Sequence, residues 1–222
     1  MTAVPSNIPT RQRLKGLYTI VDSTVTPSLN LAALAEDYLK GGASVIQLRD
    51  KRRRESAEKE RVFRETARRI QALKSCYDFL WIVNDDLEIA CEIGADGVHV
   101  GKDDPPIEEC RALLGPEKII GYSSHALEEA VEAERRGADY VAFGAIFPTS
   151  TKGPGHPVQG LEKLKEVVRA VKIPIVAIGG INRNTIKDVL ATGVASVAMI
   201  SALTNSINRI TEARWFARFF EE

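Results

Sequence analysis

Eight short runs rich in β-branched and aromatic residues, at 17–22, 44–49, 79–84, 97–100, 118–123, 140–146, 174–179 and 195–200, are separated by amphipathic, charge-rich stretches. Runs of this length bounded by turn residues read as strands. The stretches between them at 31–39, 56–73, 107–114, 127–136, 161–171, 184–190 and 208–220 read as helices. Strict alternation of strand and helix builds a parallel sheet covered by helices, and eight repeats close such a sheet into an α/β fold of the (β/α)8 TIM barrel type. A doubly wound sheet uses about six strands and carries a G-x-G-x-x-G turn after the first. This chain has eight strands and no such turn.

An internal echo supports βα repetition. Gly42-Ala43-Ser44-Val45, Gly94-Ala95-Asp96-Gly97-Val98, Gly137-Ala138-Asp139-Tyr140-Val141 and Gly193-Val194-Ala195-Ser196-Val197 each stand at a helix-to-strand junction. Glycine there suits the left-handed residue that ends a helix before the chain enters a buried strand.

A chain of 222 residues fits one domain, 1–222, with 1–15 read as a flexible N-terminal extension. Thirty Lys and Arg balance thirty Asp and Glu, so the net charge of zero argues against nucleic acid or an anionic membrane as a partner. Any bound anion must be held by a local site. No apolar run reaches the roughly 18 residues of a membrane span, and the first residues carry Pro and charge where a signal peptide has an apolar core. Three cysteines, Cys76, Cys91 and Cys110, are an odd number without metal spacing. They suit reduced, buried thiols in a cytoplasmic protein. A homo-oligomer is left open.

In a barrel of this kind the working groups sit at the carboxyl ends of the strands. Strand two ends Gln47-Leu48-Arg49-Asp50-Lys51, and alternation sends Gln47, Arg49 and Lys51 to one face and Ile46 and Leu48 to the other. Gln47 reads equally as a hydrogen-bonded core amide or a ligand contact, while Arg52 to Arg54 read as a solvated run. Strand three ends Asn84-Asp85-Asp86, and strand four leads into Gly101-Lys102-Asp103-Asp104. Parallel neighbours lie about 4.8 Å apart, so carboxylates on both strand ends need a cation or a shared proton between them. Mg²⁺, which takes one or two carboxylates plus phosphate oxygens, suits that place. The alternative makes Asp86 the cap of a helix starting at Leu87 and Asp104 an N-cap before Pro105. Spacing leaves both readings open.

Strand seven ends Ile178-Gly179-Gly180-Ile181-Asn182 and strand eight ends Met199-Ile200-Ser201-Ala202. These two loops commonly form a barrel's phosphate cradle, where glycines admit oxygens to bare backbone N–H groups. The long segment 148–160 (PTSTKGPGHPVQG) reads as a binding loop, with Thr149, Thr151 and Lys152 offering hydroxyls and a cation to a second anion. His99 reads as a packed residue. His125, after Ser123-Ser124, reads as a functional candidate or as the cap of a helix beginning at Ala126.

Taken in order, Gln47 to Lys51, Asn84-Asp85, His99-Val100-Gly101 through Asp104, Gly121-Tyr122-Ser123, Thr149-Ser150-Thr151-Lys152, Ile178 to Ile181 and Met199-Ile200-Ser201 resemble the thiamine phosphate synthase family over residues 18–203. The resemblance implies a transferase that joins hydroxymethylpyrimidine pyrophosphate to thiazole phosphate with Mg²⁺, releasing pyrophosphate. It implies that Gln47, Leu48, Arg49, Asp50, Lys51, Asn84, Ser123 and Lys152 hold the pyrimidine pyrophosphate, with Arg49, Lys51, Ser123 and Lys152 acting on its departure. Asp85 and Asp104 would carry Mg²⁺. Thr149, Thr151, Gly180, Ile200 and Ser201 would hold the thiazole phosphate, and Ser150 counts among the substrate-binding residues. Lys102 departs from the pattern, standing where the family commonly has Gln. The related thiazole tautomerase, which relies on a His near strand five, and a non-catalytic thiazole phosphate binder are the alternatives.

Overall fold

The computed structural model describes residues 13–27, 29–149, 151 and 157–221. Eight parallel strands close on themselves in chain order: β1 (Gly16–Asp22), β2 (Val45–Arg49), β3 (Leu80–Asn84), β4 (Gly97–Val100), β5 (Ile119–Ser124), β6 (Tyr140–Gly144), β7 (Ile175–Ile178) and β8 (Ser196–Met199). β1 pairs with β8 through Gly16 to Thr19, which seals the barrel. Each strand matches the sequence reading within two residues. Nine α-helices lie among the described residues: α1 (Leu31–Lys40), α2 (Ala57–Ala72), α3 (Leu87–Glu92), α4 (Ile107–Leu114), α5 (Leu127–Arg135), α6 (Gly160–Ala170), α7 (Ile186–Leu190), α8 (Ser201–Thr204) and α9 (Arg209–Ala217). Among the described residues no helix is long and apolar enough to cross a membrane.

Period-two alternation divides the apolar residues into two cores. One face of the strands fills the barrel with residues such as Tyr18, Val45, Ile82, Tyr140 and Val176. The other face, including Ile46, Leu48, Trp81 and Phe143, packs outward against the helices. Leu14, 2 % exposed, belongs to the inner core and precedes β1. Of the segment read as an extension, Leu14 is packed and Lys15 is exposed, and 1–12 lie outside the described residues. The four junction glycines, Gly42, Gly94, Gly137 and Gly193, all have positive φ, as a helix-ending left-handed residue requires.

Three expectations change. Arg53 is buried, not solvated: its Nε donates to Asp86 Oδ2 at 2.8 Å, and its other nitrogens reach the carbonyls of Asp50 and Asp85. This clamp ties the β2 and β3 loops together from beneath the barrel mouth. Cys76 and Cys91 are exposed and only Cys110 is buried. Strand six stops at Gly144 rather than at 146.

Candidate active site

Three connected cavities open at the carboxyl ends of the strands, and Thr151 lines all of them. The first is walled by Thr149, Gly179, Gly180, Ile200 and Ser201. Gly180 has φ +67°, and a Cβ there would run into the backbone of the segment after β6. Bare backbone therefore faces the cavity, and Thr151 Oγ1 reaches Ser201 Oγ at 3.3 Å across it. Backbone N–H groups and hydroxyls together suit a phosphate. Thr149, Thr151, Gly180, Ile200 and Ser201, the residues expected to form a cradle, all line this one cavity, and Ser150 and Lys152 lie outside the described residues.

The second cavity enters the barrel, between Gln47, Asn84, His99 and Ser123 on one side and Ala142, Ile178 and Ile200 on the other. A polar rim facing an apolar wall fits a small heteroaromatic ring. Gln47 is a hydrogen-bonded amide, its Nε2 donating to Tyr18 Oη at 2.8 Å, and it also lines the cavity. Asn84 Nδ2 is buried without a hydrogen-bond partner among the described residues, a donor that calls for an acceptor in the site.

The third lies between Arg49, Lys51, Asn84, Asp85, Asp104 and Ser123. Arg49 is held by Asp22, whose side chain is fully buried at the end of β1. Lys51 is bound to Asp85, and its Nζ lies 4.0 Å from Asp104 Oδ1. Burial, and then the nearby Asp104, push the Asp85 carboxyl up to about 6 against the pull of Lys51. Two carboxylates converging on one cation make this a place that demands positive charge. Among the described residues no three His, Cys, Asp or Glu side chains converge as metal ligands, so a divalent cation here would complete its shell from substrate and water.

Asp86 caps α3 as expected, accepting from Ile89 N at 3.0 Å. Asp104 does not cap a helix: α4 begins at Ile107 after Pro106, and Asp104 Oδ2 accepts the Gly101 N–H at 2.8 Å, which turns the carboxylate toward Asp85. The capping reading thus holds for Asp86 alone. Leu48 points into the outer core and Asp50 caps the Arg52 N–H, so neither side chain faces the cavities. His125 does not cap α5. Its Nδ1 meets the Gly144 carbonyl at 2.5 Å and the residue lines two of the cavities.

The sequence reading missed Asp22, Tyr18 and Tyr140, and it understated His99. Asp22 had a signal, because it is the polar residue at the carboxyl end of strand one. The tyrosines had none, since an aromatic in a strand reads as core and only the closed barrel brings their hydroxyls together.

A closed parallel barrel with a cavity of bare backbone and hydroxyls after β7 and β8, and cations beside paired carboxylates after β2 to β4, has the architecture of a (β/α)8 enzyme. The chain belongs to the thiamine monophosphate synthase family, whose model matches residues 17–203. Curated relatives named thiamine-phosphate synthase include one from Pyrococcus horikoshii, 43% identical over 214 residues, covering 96% of this chain and 97% of its own. Another, from Shouchella clausii, is 42% identical over 187 residues, covering 84% and 87% respectively. The solved thiamine phosphate pyrophosphorylase from Pyrococcus furiosus superimposes with a TM-score of 0.81 at 38% identity, over 96% of this chain and 99% of that one.

Proposed function

We propose that this enzyme condenses hydroxymethylpyrimidine pyrophosphate with thiazole phosphate to give thiamine phosphate and pyrophosphate. The observation that carries this is the meeting of the three cavities at Thr151: a phosphate cradle and a cation-lined lobe flank one slot with an apolar wall. A monophosphate and a diphosphate can be held at opposite ends with their rings facing in the middle.

Mg²⁺ fits the paired carboxylates, with Asp85 and Asp104 as its protein ligands. When bound it would neutralise charge on the diphosphate. The chain's own groups do the rest. Arg49 and Lys51, joined by Lys152 on the family pattern, bind diphosphate oxygens, and Asn84 Nδ2 donates to an acceptor in the site. Cleavage of the bond between the pyrimidine's exocyclic carbon and the diphosphate sends the electron pair to the leaving group, whose new charge these donors stabilise. The aminopyrimidine ring delocalises the cation left behind, and Ala142, Ile178 and Ile200 screen it from water. The thiazole nitrogen then gives its lone pair to that carbon. No protein nucleophile is required. Exposed, unbridged Cys76 and Cys91 are in keeping with a reducing, cytoplasmic setting.

Incubation of purified protein with both substrates and Mg²⁺ should yield thiamine phosphate and pyrophosphate in equal amounts. Omitting either substrate or adding EDTA should stop it. Proton exchange on the thiazole without pyrophosphate release would point instead to a tautomerase.

A further inference from the structure

A continuous string of hydrogen bonds runs through the barrel interior from Gln47 to Ser123. Gln47 Nε2 donates to Tyr18 Oη at 2.8 Å; Tyr18 and Tyr140 hydroxyls are 2.8 Å apart; Tyr140 Oη meets His99 Nδ1 at 2.9 Å; His99 Nε2 meets Ser123 Oγ at 2.8 Å. Gln47, Tyr18, Tyr140 and His99 are all buried. The string needs room that β5 supplies: a Cβ on Gly121 would stand 2.1 Å from Tyr140 Cζ, so only glycine admits that phenol to the centre.

The donors and acceptors fix a direction. Tyr18 accepts from the Gln47 amide nitrogen, which cannot accept in return, so its own proton goes to Tyr140. Tyr140 then gives its proton to His99 Nδ1, and a neutral His99 carries its hydrogen on Nε2 and donates to Ser123 Oγ. Both ends are left polarised. Gln47 keeps Oε1 as the atom with which it can accept a donor, and the Ser123 hydroxyl is free to donate into the two cavities it lines. Turning the Gln47 amide over would reverse every bond, putting the His99 hydrogen on Nδ1 and drawing the Ser123 proton back toward the imidazole.

We propose that Tyr18, Tyr140 and His99 form a directional hydrogen-bond relay that couples the amide orientation of Gln47 to the hydroxyl of Ser123. On the function proposed above, recognition of the ring amine at Gln47 and donation to the diphosphate by Ser123 are then one event. A pyrimidine presenting an acceptor in place of that amine would turn the amide over and withdraw the donor its leaving group needs. Tyr140 is a positioning residue in this scheme, acting through its neighbours.

The test reads the histidine tautomer by ¹⁵N NMR in ligand-free protein, with His99 assigned by its loss in His99→Gln. The wild type should show the Nε2-protonated form. At pH 8, Gln47→Glu, an acceptor when ionised, should convert His99 to the Nδ1-protonated form, and Tyr140→Phe or Tyr18→Phe should abolish that response. A wild-type Nδ1–H tautomer, or a Gln47→Glu response that survives loss of the tyrosine hydroxyls, overturns the relay, and the wild-type spectrum decides even if a variant does not fold. In turnover, Tyr140→Phe should lower kcat about tenfold, the size of one hydrogen bond, with the thiazole phosphate KM unchanged. Ser123→Ala should cost much less in that background than in the wild type, and full additivity counts against the relay. The spectra need no substrate, so absence of thiamine phosphate formation in the wild type would refute the proposed reaction while the tautomer still judges the relay.

Discussion

A Cβ placed on Gly180 would stand 2.6 Å from the carbonyl oxygen of Pro148, so the loops after β7 and β6 meet through bare backbone. Phe147 crowds the same point, its Cβ 2.7 Å away. Any side chain on Gly180 must push back the segment that carries Thr149 and Thr151. It must also hold φ at +67°, at about 1–2 kcal/mol for a residue with a Cβ. Gly180→Ala should therefore raise the thiazole phosphate KM tenfold or more, roughly the loss of one or two charge-assisted hydrogen bonds, and leave the pyrimidine pyrophosphate KM within about twofold. Steady-state kinetics with each substrate varied in turn check this; equal losses for both would mean general damage to the barrel.

Asp22 accepts from Thr24 N at 2.8 Å and Thr24 Oγ1 at 2.6 Å while binding the Arg49 guanidinium. The turn after β1 thus fixes one edge of Arg49 and leaves its other nitrogens for the mouth. Asp22→Asn keeps the shape and removes the charge-assisted contact. It should raise the pyrimidine pyrophosphate KM about tenfold, near 1.4 kcal/mol, with thiazole phosphate binding unaltered. Calorimetric titration of each substrate separates the two; an equal effect on both would show that Asp22 supports the rim as a whole.

Arg53 and Asp86 are side chains only 6% and 4% exposed, joined at 2.8 Å. Breaking a buried pair by removing one partner costs about 3–5 kcal/mol, because the other charge stays buried. Arg53→Ala should lower the melting temperature by about 6–20 °C, at roughly 2–4 °C per kcal/mol for a domain of this size. A change below about 2 °C in calorimetry would return Arg53 to the solvated run that its neighbours suggest.

The difference between Arg53 and Arg54 shows where sequence reading stops. Both sit in one basic run, yet Arg53 is 5% exposed as a residue and Arg54 side chain is 75% exposed. Only the three-dimensional return of β3 beside β2 sets Asp86 against Arg53 at 2.8 Å, while the outward-turned Arg54 comes no nearer to it than 3.8 Å. Strand positions, the gathering of Gln47, Arg49 and Lys51 at the barrel mouth and the meeting of the two loops after β7 and β8 at one cavity were all legible, because period-two alternation and glycine-rich strand ends are local signals. The capping of Asp104 was not, because Pro105 after an acidic residue has the same spelling whether or not a helix starts there. Nor was the Tyr18 to Tyr140 contact, which joins residues 122 positions apart.

Asp85 has φ +57°, a left-handed position that Asn and Asp tolerate better than other residues carrying a Cβ. Asp85→Ala would mix backbone strain with loss of charge, so Asp85→Asn is the cleaner variant. The carboxyl is held at about 6 by burial and by Asp104, above its ordinary value of 3.8. A raised acid means that the fold disfavours the charged form. The resulting penalty is present in full above pH 6 and disappears below about pH 4, where the group is protonated both folded and unfolded. Metal-free Asp85→Asn should therefore melt above the wild type at pH 8, with the gap closing as the pH falls toward 4. The freed Lys51 is half exposed and can turn to water. On the proposed function, with Asp85 as a Mg²⁺ ligand, turnover at limiting Mg²⁺ should fall by about a hundredfold or more. A variant that melts lower at pH 8 would mean that the pairing of Asp85 with Lys51 outweighs its burial, and one with normal turnover would remove Asp85 from the metal site.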